Sequence, residues 1–313
     1  MMMTSNKNNS NKNNSNNHSK LRYISSAISV VFMLVAIAFI SVNGLNWGLD
    51  FTGGVITEVQ LDPSITMSEI YPLLQSALNQ HVSVIEGGDV GRWILRYAEP
   101  AAGMSIPDIT QILAPLATHI QVLNTSIVGS QIGQELAEQG GLALLVSMLC
   151  IMAYLSYRFE WRLASGALFA LVHDVLFVLG VFAALQLEFN LTVFAAIMAI
   201  IGYSLNDSII IGDRIRELLI LKPTLAIADV NNQAILATLS RTMVTSGTTL
   251  MTVSALWLLG GGPLAGFSIA MFVGLIVGTW SSIAVATTLP ELWGLNASHY
   301  QVIELEEDLT VGK

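Results

Sequence analysis

The sequence predicts a helical membrane bundle of six spans that carries one small α+β domain between the first and second spans. Three observations predict it. Of the 313 residues, 53% are hydrophobic and only 11% are charged, with a mean hydropathy of +0.63, whereas a soluble domain carries about 25% charged residues. Six runs approach the roughly 20 apolar residues that a helix needs to cross a bilayer. Between the first two lies a polar interval of about 95 residues, enough for a small domain, in which strand and helix patterns alternate.

Residues 4–19, within a segment 1–20, are nearly all Asn, Ser and Lys. Such a tract buries too little apolar surface to fold and reads as a disordered cytoplasmic tail. The first span is expected at 23–42, within a segment 21–43. Its apolar run exceeds the 7–15 residues of a signal peptide and no clean cleavage site follows, so it reads as an uncleaved anchor. In the domain, 44–136, strands are expected at 54–61, 81–86, 90–97 and 119–128, with a tight turn at Gly87-Gly88-Asp89. Ile70, Leu73, Leu74 and Ala77 recur at helical spacing and place a helix over 68–80. A second helix is expected at 107–117, opened by Pro107. The order βαββαβ is that of a ferredoxin-like split fold.

The remaining spans fall within 137–291, at 142–157, 163–185, 191–211, 243–259 and 264–289. The short connections 186–190 and 260–263 force antiparallel hairpins. The longer connection, 213–242, has room for an amphipathic helix at 230–239 on the cytoplasmic face. Residues 292–313 form an acidic tail.

Lys and Arg favour the cytoplasmic side. With the N-terminus inside, that side holds Lys7, Lys12, Lys20, Arg22, Arg158, Arg162, Arg214, Arg216, Lys222, Arg241 and Lys313, leaving only Arg92 and Arg96 outside. The net charge of −9 reflects the acidic outer domain and tail and points to no nucleic acid. A phosphate-binding Gly-Lys-Ser/Thr loop is absent, so ATP is not the energy source within this sequence. No cofactor or metal cluster is legible. The lone Cys150 reads as a small buried residue.

Asp207 is the one charge in the apolar run 191–211. An ionised side chain in the bilayer centre costs roughly 2.5–3.5 kcal/mol on insertion scales, and such residues mark ion or proton pathways. It lies in a polar knot, Gly202-Tyr203-Ser204-Leu205-Asn206-Asp207-Ser208. Arg241, at the mouth of the fifth span, is its natural ion-pair partner. A guanidinium does not give up its proton, so Asp207 is the group that switches: ionised it holds Arg241, protonated it releases it. The bland reading is a static buried salt bridge, a costly way to join two helices.

Arg241, Thr245, Thr248 and Thr252 share one helical face, with Ser246 and Thr249 alongside. Hydroxyls in a row either line a hydrated path or bond their own backbone. In the third span, His173 and Asp174 form a second relay station or a hydrogen-bonded lock for Asp207; packing is the simpler role for His173. Asp213 reads as a helix-end charge, with a place on a proton path left open. Gly266, Ala270, Gly274, Gly278, Ser282 and Ala286 make a small-residue seam on the sixth span, facing either its own bundle or a partner.

The motif residues resemble the SecF branch of the SecD/SecF protein-export family. The likeness rests on Gly48-Leu49-Asp50-Phe51-Thr52-Gly53-Gly54, Val128-Gly129-Ser130 with Gly133, Val172-His173-Asp174 and Gly202 to Asp207. It continues through Asp213 to Glu217, Ser240-Arg241-Thr242, Thr245 to Leu250 and Gly261-Gly262. The resemblance implies half of a resistance-nodulation-division transporter in a bacterial inner membrane, with a periplasmic domain. It implies a heterodimer with SecD, contacts with SecYEG, YajC and translocating preprotein, a functional link to the ATPase SecA, and protons as the coupling ion. The proton-handling acid and arginine of the family fall on Asp207 and Arg241, its third-span aspartate on Asp174. Ser204, Asn206, Thr245 and Thr248 support them, while Asp50, Phe51, Gly53 and Gly54 form the motif that opens the outer domain. Not an enzyme but a transport subunit is implied. A proton-driven small-molecule exporter half, or a passive scaffold of the translocon, are the alternatives.

Overall fold

Six helices long and apolar enough to cross a membrane stand together among the described residues, as the hydropathy runs predict. The computed structural model describes residues 2–80, 82–99, 105–117 and 119–300. The spans are α1 (Met2–Asn43), α5 (Ser130–Arg158), α6 (Trp161–Leu185), α7 (Leu191–Leu221), α8 (Ile227–Leu259) and α9 (Gly262–Leu292). The membrane-length part of α1 is Ser19–Asn43. Its backbone is helical through the Asn-rich tract to Met2, unlike the expected disordered tail; extending an existing helix needs no new nucleus.

The connection expected at 213–242 is mostly helix. α7 runs on to Leu221 and α8 begins at Ile227, leaving only a short turn at 222–226. The amphipathic segment 230–239 is the first part of α8, continuous with the fifth span. Pro223 is the only strong breaker in that interval; it keeps Lys222 out of helical geometry, at φ −133° and ψ 63°. Asp213 pairs with Arg158 across α7 and α5 at 2.7 Å.

The seam on α9 faces its own bundle. A Cβ at Gly266 would meet Val193, at Gly274 Ile200, and at Gly278 Ser204 and Asp174. α9 therefore sits in close contact with α7, and Ala270 and Ser282 are fully buried. α5 packs loosely at the edge, so Cys150 is exposed rather than buried.

Between α1 and α5 lie β1 (Asn46–Trp47), α2 (Leu49–Thr52), β2 (Gly54–Gln60), α3 (Met67–Leu78), β3 (Val82–Glu86), β4 (Arg92–Tyr97), α4 (Ile109–Leu113) and β5 (Gln121–Val128). The antiparallel sheet has the order β3-β4-β2-β5, the ferredoxin-like arrangement. His81, expected to open a strand, and the acidic stretch 304–308 lie outside the described residues. The hairpin between β3 and β4 is longer than a tight turn, because Gly88 and Gly91 both take positive φ. α3 and α4 cover one face with Ile70, Leu74, Ile109 and Leu113 against Val55, Val59, Val84 and Leu95. Glu69 accepts from the Thr66 amide and Asp108 from Thr110. These bonds hold both carboxyls below the usual carboxylate range.

A two-residue parallel pairing fastens the base of this domain to the bundle: β1 lies beside β6 (Glu188–Phe189), in the hairpin between α6 and α7.

Candidate functional site

Asp207 is 5% exposed, midway along α7, with Ser204 one turn before it and Ser208 directly after it, both also buried. It opens on a cavity of about 210 Å³ between α7, α8 and α9, lined by Tyr203, Asn206, Thr245, Ser246 and Thr279 among others. Gly274 and Gly278 of the α9 seam line one side of it. Asp207 and Ser246 line this cavity together. Ser246 in turn accepts from Thr279 Oγ1 at 2.8 Å.

The expected Asp207–Arg241 contact is not made. Among the described residues no ion pair within 4.0 Å includes either of them, and Arg241 is exposed. Arg241 lies on α8 five residues before Ser246, about 7.5 Å along the axis at helical rise. Without a contact, only its charge can reach the carboxylate. The sequence could name the two residues but not the turn of helix between them.

Asp174 is 1% exposed on α6. Its Oδ2 accepts from Ser204 Oγ at 2.5 Å and its Oδ1 lies 3.0 Å from His173 Nδ1. His173 Nε2 is buried with no partner among the described residues. Ser204 thus stands between the two acids, bonded to Asp174 and one helical turn from Asp207. The lock and relay readings of Asp174 share this geometry: a hydroxyl both accepts and donates. Thr279 lies within the small-residue stretch of α9, where composition does not set it apart.

The threonine row divides as the second of its two readings describes. Thr245, Thr248, Thr249 and Thr252 each donate to the carbonyl four residues back, at 2.9–3.1 Å. Their donors are spent on the helix, while Thr245, Thr248 and Thr249 still line the cavity. Asn206, Gly202 and Tyr203 lie on the exposed side of α7, so the polar knot wraps past the bundle's own surface.

Residues 108–296, more than half of the chain, match the model described as "Protein export membrane protein SecD/SecF, C-terminal". The chain belongs to the SecD/SecF family. Residues 38–65 match the "SecD/SecF GG Motif" model. Among relatives, the protein translocase subunit SecF of Vibrio alginolyticus is 40% identical over 295 residues, covering 93% of this chain and 92% of that one. The SecF of Escherichia coli O157:H7 is 37% identical over 292 residues, covering 91% and 90%. The crystal structure of SecDF from Thermus thermophilus superposes with a TM-score of 0.77 at 32% identity, over 88% of this chain and 38% of that chain. SecDF in a super-membrane-facing form gives 0.68 at 31% identity, over 91% and 39%. The chain therefore spans well under half the length of those SecDF chains.

The GG motif of the family has a physical account here. Gly53 ends α2 at φ 74° and ψ 164°, a region essentially reserved for glycine that costs a side chain about 1–3 kcal/mol. A Cβ at Gly54 would lie 2.6 Å from the Tyr97 carbonyl oxygen. Phe51 is buried among Trp47, Phe182 and Phe189 at the top of the bundle core. Asp50 Oδ2 accepts from the Leu191 amide at 3.0 Å, beside Asn190, which caps Val193 at 3.1 Å. The motif thus caps the helix that carries Asp207. Asp50→Ala is expected to cost about 1 kcal/mol, as a lost cap does, and Asp50→Asn much less, because its carbonyl still accepts. Thermal unfolding of the purified protein checks this; equal losses for both variants would refute the capping role.

Proposed function

We propose that the chain acts as a SecF-type subunit of the Sec translocase accessory complex, using the proton-motive force to promote preprotein transfer across the inner membrane. The observation that carries this is Asp207: an acid buried mid-span, on a polar cavity, with a hydroxyl on one side and an arginine within electrostatic reach. Protonation at Asp207 discharges its attraction for Arg241; deprotonation restores it and draws α8 toward α7. Each proton moving down the gradient contributes about 2.3 kcal/mol per 100 mV from the potential alone. Ser204 offers a branch to Asp174, and Ser246 with Thr279 a second to α9.

The relatives' printed name, protein translocase subunit SecF, supports the transport assignment. The likeness to a SecDF chain more than twice as long supports a SecD partner that supplies the other half, closing over Gly202, Tyr203 and Asn206. SecYEG, SecA and YajC are proposed as neighbours on the strength of the family alone. The Lys and Arg distribution favours both termini in the cytoplasm and the sheet domain in the periplasm.

The test is a precursor export assay in sealed inner-membrane vesicles with and without this chain. Adding the chain with SecD is expected to raise export only while the proton gradient stands, and collapse of the gradient with an ionophore should erase the gain. Stimulation that survives collapse would favour the scaffold reading instead.

A further inference from the structure

Glu188 is used by nothing above, yet it joins the two parts of the molecule. Its Oε1 accepts from Arg96 Nη1 at 2.9 Å, and its Oε2 accepts from Ser83 Oγ at 3.2 Å. Arg96 lies on β4, inside the sheet, and Ser83 on the adjacent β3. Glu188 lies on β6, three residues before α7 begins. Among the described residues, this is the only ion pair linking the sheet domain to the bundle.

The surroundings are built to hold that carboxylate in place. Asn46, on β1, faces Glu188 in the parallel pairing, and the Gly48 amide donates to the Phe189 carbonyl at 2.8 Å. A Cβ at Gly48 would lie 2.9 Å from Glu188 Oε1, although its φ of −70° suits any residue. Glycine there leaves the space the carboxylate occupies. Beside the pair a cavity of about 270 Å³ remains between the domain floor and the bundle rim, lined by Met67, Tyr71 and Gln186 among others. At this corner the domain rests on the bundle through polar contacts beside open space, apart from the apolar packing of Phe51 into the bundle core.

α7 connects this corner to the site. It contains no proline between Leu191 and Leu221, and Asp207 lies sixteen residues past its start, about 24 Å along the axis. We propose that Glu188 is the positioning residue through which displacement of α7 is transmitted to the sheet domain, by way of Arg96 and Ser83. A partly exposed ion pair adds little to stability, so removing this one cuts the link through Arg96 without unfolding either part, and leaves the β1–β6 pairing and the Asp50 cap on α7 in place. The proposal rests on the reading of Asp207 as the proton-driven group.

The test uses the complex with its SecD partner in proton-tight vesicles, with Glu188→Arg, Arg96→Glu and the double charge swap, and Asp207→Asn in parallel. Each single reversal is expected to lower gradient-stimulated export by at least about fivefold, the lower end of typical coupling between sites, while proton uptake persists. The double swap should restore most of the export, and Gly48→Ala should reproduce part of the loss by displacing the carboxylate. As a readout without transport, Glu188→Gln should broaden the distance distribution between spin labels at the exposed positions Val90 and Leu185.

Normal export in the single variants, loss of uptake together with export, no rescue by the swap, or an unchanged label distribution would each overturn the joint. If wild-type export ignores the gradient or Asp207→Asn still responds to it, the proton reading fails and takes this inference with it. If that control behaves and the Glu188 variants do not, only the joint falls.

Discussion

Asp207→Asn is expected to reduce export in a standing proton gradient to the level seen with the gradient collapsed. Asparagine matches aspartate in shape, so the packing around the cavity is retained. What it loses is the ability to carry charge in one state and none in the other. With that gone, Arg241 meets the same neutral amide throughout and α8 has no reason to move. The forfeited drive is about 2.3 kcal/mol per 100 mV for each proton, a bias of roughly 40-fold in any step it powers. Removing a buried charge does not endanger the fold, because such charges are retained against a desolvation cost; the variant should still co-purify with its partner at wild-type yield. Proton uptake by vesicles, measured beside export, decides the matter. An Asp207→Asn complex that still takes up protons and still exports in response to the gradient would remove Asp207 from the mechanism.

The residues that carry this argument were legible because a membrane makes charge expensive. Asp207, Asp174, His173 and Arg241 stand out from apolar runs on composition alone, and the structure gathers the first three around Ser204. Strand order in the sheet domain followed from period-two runs and glycine turns in the same way. Three things were not legible. The long extensions of α7 and α8 carry charged faces, so hydropathy marked them as a loop although their backbone has no breaker before Pro223. The separation of Asp207 from Arg241 depends on the register of two packed helices, which no local pattern encodes. Glu188 looked like an ordinary charge in a short hairpin, since its partners Ser83 and Arg96 lie about 90 to 105 residues away and only tertiary pairing brings them together.

Gly274→Ala is expected to destabilise the bundle through a single added methyl. Its Cβ would press into Ile200, within 2.5 Å of Cγ1 and closer still to Cδ1, on a residue only 1% exposed. Neither helix can yield alone, because Gly266 against Val193 and Gly278 against Ser204 hold the same register above and below. Overpacking of this kind costs about 1–3 kcal/mol, and separating α7 from α9 would also widen the cavity at Asp207. Gly202 provides the contrast: a Cβ there meets nothing within 4 Å, so Gly202→Ala should leave the isolated chain as stable or slightly more so, by the helix preference of about 1 kcal/mol. The cause can be tested by compensation. Ile200→Ala alone should cost about 2–5 kcal/mol through the cavity it leaves, yet with Gly274→Ala the total should fall short of the sum by about 1 kcal/mol or more, as directly touching pairs do. Thermal unfolding of the four proteins in one detergent closes the cycle. Strict additivity would mean that the two side chains do not share a space, and the seam would then owe its glycines to something other than the approach of α7.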